Sequence, residues 1–191
     1  MINKKLLILL SVLSFPAFAH ESAGGNGFYS GLVHPIFGLD HLLAMVSIGI
    51  LSAQLGGKSI WQLPLTFVLV MALGGVFGML QLPMLPVEIG IALSVLVLGA
   101  GIALDRKLSP VIAMAFAALF AVFHGYAHGL EMPTMATPAS YVAGFIIGTA
   151  SIHIIGVFVG VFSTQHDIRR KVLRAMGAGI MFSGVYFLVG A

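Results

Sequence analysis

The sequence predicts an all-α, polytopic membrane protein with six transmembrane helices behind a cleavable signal peptide. Three observations carry that prediction: an apolar excess, six apolar stretches of bilayer length, and basic residues confined to alternate connections. Of the 191 residues, 59% are hydrophobic and 8% charged, whereas about a quarter of a soluble domain's residues carry charge. Such a surface belongs in lipid. The chain has no cysteine, which rules out disulfides, thiolate metal sites and cysteine nucleophiles together.

Residues 1–19 read as the signal peptide. Lys4 and Lys5 give a positive start, Leu6 to Phe15 a short apolar core, and Ala17-Phe18-Ala19 a small-x-small cleavage site. That core is about half the ~20 residues a spanning helix needs. Cleavage after Ala19 makes His20 the mature N-terminus. It also removes two lysines and leaves seven basic and six acidic residues, so the charge offers no case for a nucleic-acid partner.

Within 20–191, one membrane transport domain is expected, with spans at about 33–55, 60–80, 87–104, 109–129, 139–163 and 172–190. Gly56-Gly57-Lys58, Pro83 to Pro86, Asp105-Arg106-Lys107, Pro133 to Pro138 and His166 to Lys171 separate them. These connections are too short for an inserted soluble domain. A cleaved signal leaves the mature N-terminus outside, so the first, third and fifth connections face the cytoplasm. Those hold Lys58, then Arg106 and Lys107, then Arg169, Arg170, Lys171 and Arg174, while the second and fourth connections hold no Lys or Arg. The positive-inside rule therefore agrees with the signal peptide. Both termini are expected in the periplasm and the protein in the cell inner membrane. Small-xxx-small pairs such as Gly74/Gly78, Gly144/Gly148 and Gly156/Gly160 predict close helix packing. Three spans followed by three place the halves in opposite orientations, as in inverted-repeat transporters, although the halves share no evident sequence similarity.

Ionisable groups within spans are costly and mark pathways or sites. The first span carries His34, Asp40 and His41; the fourth ends with His124, His128 and Glu131. The first runs inward and the fourth outward. His34, His128 and Glu131 thus fall at an outer level, and Asp40, His41 and His124 about 10 Å deeper. His124 and His128, four apart, face one point, and Glu131 shares that face. His34 and His41 are too far apart in rise to share an ion on a regular helix, unless Pro35 and Gly38 loosen the turn between them. Asp40 either ligates or orients His41. Imidazole and carboxylate without sulfur suit nickel, cobalt, zinc or ferrous iron. Met132 and Met135 read as ordinary apolar loop residues. A secondary pathway takes in His20, Glu88 at the outer end of the third span, and His153, each with a plainer reading as a mobile terminus, a headgroup-level acid and a packed histidine.

These two motifs, with a histidine directly after the signal peptide, resemble the HupE/UreJ family of hydrogenase- and urease-associated metal permeases. The matching runs are His34-x5-Asp40-His41 and Phe123-His124-Gly125-x-Ala127-His128-Gly129-x-Glu131. The resemblance implies a six-span nickel uptake protein, not an enzyme, in which these histidines and acids serve transport. It also implies a functional link to nickel-enzyme maturation proteins. Cobalt or another divalent ion is the alternative cargo, and no permanently bound cofactor is expected. No Walker-type phosphate loop is present. Two rivals come from other classes. A haem-b electron carrier uses histidines on facing helices. An intramembrane zinc hydrolase uses the four-residue histidine spacing, but the Glu of His-Glu-x-x-His is missing after His124.

Overall fold

A computed structural model describes residues 27–106 and 108–191; the expected signal peptide and His20 lie outside the described residues. These residues form seven helices and no strand: α1 (Gly27–Phe37), α2 (Leu39–Leu55), α3 (Ser59–Met79), α4 (Val87–Leu104), α5 (Pro110–Leu130), α6 (Pro138–Thr164) and α7 (Asp167–Gly190). Helices α3 to α7 are each long and apolar enough to cross a membrane, and α1 with α2 makes a sixth crossing if the bent pair is counted as one span. The chain is a multi-pass helical membrane protein.

The expected spans two to five match α3 to α6 to within a residue or two at each end. Proline starts α5 and α6 at their first positions, where the missing N–H costs nothing. One expectation needs correcting. The first span is not a continuous helix over 33–55: α1 and α2 meet at 82°. Pro35 lacks an N–H, and Gly38 adopts an extended conformation (φ −81°, ψ 107°) before its carbonyl accepts the Leu42 N–H at 2.8 Å to start α2. The helix that contains the last expected span, 172–190, starts earlier, at Asp167, because the basic run 169–174 is itself helical. Arg and Lys are good helix formers, and Asp167 suits the positive N-terminal end of the helix.

Packing follows the small residues. The most extensive interfaces are α3 with α5, α4 with α7, and α6 with both α1 and α2. At Gly125 a Cβ would run into the Met71 backbone, and at Gly49 into the carbonyl of His153, so both positions need glycine for the backbones to approach. The core runs through Met45, Ile48, Phe67, Met71, Val95, Phe120, Tyr141 and Phe145. The outer surface stays apolar. Trp61, Leu65, Leu69 and Leu73 form an exposed stripe along α3, as a lipid-facing helix requires.

At the end where basic residues cluster, Asp105 caps α4 in the left-handed region (φ 51°). Its carboxylate accepts from Arg170 Nε and from Gln54 Nε2 (3.1 Å), while Arg174 Nε donates to the Ala103 carbonyl at 2.8 Å. These bonds tie α2, α4 and α7 together at the end opposite the histidines.

Candidate metal site

The bend between α1 and α2 shapes the site. On a straight helix, seven residues separate His34 from His41 by about 10 Å of rise. With the chain folded at Gly38, their ring centroids stand 6.5 Å apart. His34 lies 4.9 Å from His128, and His41 lies 4.8 Å from His128 and 4.7 Å from His124. The two levels expected from the sequence thus merge into one row, with His41 touching both histidines of α5. Helices α2 and α5 themselves make little direct contact. It is the imidazoles that fill the space between them.

Burial along the row is deep. His124 and His128 are fully buried and His41 is 7% exposed. Yet His41 Nε2, His124 Nδ1 and both nitrogens of His128 have no hydrogen-bond partner in the protein. Leaving a buried polar atom without a partner costs about 1–3 kcal/mol. Four such atoms in one row are not a routine packing outcome. Phe145 stacks on His128 at 5.4 Å with an interplanar angle of 11°, which fixes that ring's plane without satisfying its nitrogens.

The acids divide in role. Asp40 Oδ1 accepts two bonds from the next residue, the His41 backbone N–H at 2.7 Å and Nδ1 at 2.8 Å. It therefore caps a free N–H of the first turn of α2 and orients the imidazole at once. At the outer end His34 Nε2 meets Glu131 Oε2 at 2.7 Å. Burial pushes the Glu131 carboxyl up, but its bond to His34 and the nearby imidazoles outweigh this and hold it below its ordinary value.

Not every expected residue joins the row. Glu88 lines a cavity of about 500 Å³ together with Asp40 and with Tyr186, Phe187 and Val189 near the end of α7. His153, buried with both nitrogens unpartnered, lies behind the Phe67 ring, which stands 5.2 Å from it and 5.6 Å from His124. Sequence reasoning passed over Phe67, Phe145 and Ser94, the last bonded to His124 at 2.9 Å. None of the three stands out in the sequence, since Ser94 is one of several serines set in apolar spans.

Two imidazoles that share one ion at bond lengths of about 2.1 Å have centroids about 4.5–5 Å apart. The 4.7 and 4.8 Å separations fall in that range. The rings meet edge to face, however, and among the described residues no three His, Asp or Glu groups already surround a common point. Side-chain rotation has to complete any cage.

The comparisons with known proteins cover nearly the whole chain. The family model described as HupE / UreJ protein matches residues 8–187. The chain is 39% identical over 189 residues to "Protein HupE" of Rhizobium leguminosarum bv. viciae, covering 97% of this chain and 98% of that protein. No solved structure matches. A chain so matched along its length belongs to the HupE/UreJ family, hydrogenase- and urease-associated membrane accessory and transport proteins that are not enzymes.

Proposed function

We propose that this chain is an inner-membrane permease that takes up a divalent transition metal, most readily nickel, from the periplasm. The observation that carries this reading is the row of His34, His128, His41 and His124, in which the last three are buried with unpartnered nitrogens and stand at ligand-like spacing. Glu131 and His34 meet the ion first, with both termini on the periplasmic side. His41, His124 and His128 replace part of its water shell, and Asp40 steadies His41. Several moderate sites in succession let the ion leave as well as enter. From His124 the onward route passes Phe67 to His153. A membrane potential negative inside favours entry by about 2.3 kcal/mol per charge per 100 mV, and so about twice that for a divalent ion. The same donors accept cobalt. A bis-histidine haem is a poorer fit, because His41 lies directly against both His124 and His128, with no slot for a macrocycle between them.

The test is uptake of radioactive nickel, with cobalt and zinc as competitors, in cells expressing wild type, His41→Ala or His128→Ala. Loss of an outer-sphere partner alone costs about 10–100-fold in metal affinity or activity. Each ligand variant is therefore expected to lose at least about tenfold. Wild-type uptake in both variants would overturn the assignment.

A further inference from the structure

Ser94 sits in the middle of α4 and is fully buried. Its hydroxyl lies 2.6 Å from the Ile91 carbonyl oxygen and 2.9 Å from His124 Nε2. A serine has one proton to give. A carbonyl can only accept, so the proton goes to Ile91, and the second contact is a bond donated by His124 Nε2–H to the serine oxygen. A neutral His124 with its proton on Nε2 has a bare lone pair on Nδ1, and Nδ1 is a buried nitrogen without a partner. The reverse assignment breaks the Ile91 bond and leaves a buried Nδ1–H with no acceptor, a cost of about 1–3 kcal/mol.

His41 is held the opposite way. The Asp40 carboxylate only accepts, so His41 Nδ1–H donates to it at 2.8 Å, and the bare nitrogen is Nε2, again without a partner. The two rings, 4.7 Å apart, therefore keep different nitrogens free. We propose that Ser94 is a positioning residue of the metal site: it fixes His124 in the Nε2–H form, so that a divalent ion is taken by His124 Nδ1 together with His41 Nε2. The inference rests on the permease reading and adds to it a residue on a fourth helix. Helix α4 then contributes to the site without supplying a ligand, and any displacement of α4 weakens the hold on His124.

The experiment uses the purified full-length protein and nickel chloride. Calorimetric titration follows affinity, and nitrogen NMR of labelled histidine follows which ring nitrogen of His124 carries the proton. Ser94→Ala is expected to weaken nickel binding about 10–100-fold and to move the His124 proton away from Nε2. Ser94→Thr, which keeps the hydroxyl, is expected to restore both. His128→Ala runs in parallel and is expected to lose binding. If His128→Ala binds nickel as wild type does, the permease site itself is wrong. If it loses binding while Ser94→Ala binds normally, the role given to Ser94 alone is overturned. Should Ser94→Ala not fold, the wild-type spectrum decides: a proton on Nδ1 of His124 contradicts the proposal.

Discussion

His128 lies fully buried, with neither ring nitrogen bonded to protein, between the imidazoles of His34 and His41 and the face of Phe145. Only the neutral imidazole can ligate a metal. At the mouth of the row the Glu131 pKa is lowered in the folded protein, so whatever its pairing with His34 adds is present above the ordinary carboxylate value of about 4.3 and is lost only as pH drops through the lower folded value. At this scale the sequence was informative where residues are costly: every histidine of the row stands out against an apolar background. Ser94 and Phe145 do not. A serine in an apolar helix bonds its own backbone by default, as Ser47, Ser52 and Ser151 do, and a phenylalanine in a span looks like any other packing residue.

The elements bring these residues together through two devices, the bend at Gly38 and the close contact of α3 with α5. Gly125, beside His124, lies against the Met71 backbone, where an added methyl has no room. Gly125→Ala should therefore separate α5 from α3 and shift both histidines of α5. Overpacking of this kind costs about 1–3 kcal/mol, to be read as a lower unfolding temperature in detergent together with reduced nickel uptake. Gly179→Ala is the control. Nothing lies within 4 Å of a Cβ there, and replacing a helical glycine by alanine is neutral or stabilising by about 0.5–1 kcal/mol. Equal behaviour of the two variants would count against tight α3–α5 packing as the support of the site. Spans two to five were legible because each is an apolar run between turn-forming residues. The bend was only half legible. Pro35 and Gly38 flagged a loosened turn, but its angle is set by the docking of α1 and α2 on α6, which no local pattern contains.

Taken whole, the molecule repeats its pairing. Counting α1 with α2 as one unit, exchange of the first three units with the last three carries the α3–α5 pair onto that of α6 with α1 and α2, and α4–α7 onto itself. The three-plus-three order of spans pointed to this correspondence, but the halves share no evident sequence similarity, since backbone approach at glycines constrains few side chains. The imidazole row stands near one end of the bundle, and the Asp105, Arg170 and Arg174 bonds close the other. An ion held in the row is thus separated from the far side by Phe67 and by that closed end. The account depends above all on the ion entering the row. Crystals of the protein soaked with nickel, with anomalous differences collected at the nickel edge, measure this directly. The predicted result is a peak about 2.1 Å from nitrogens of His41 and the α5 histidines, absent in His128→Ala. A nickel-loaded protein whose anomalous peaks all lie away from these rings, unchanged in His128→Ala, would contradict it.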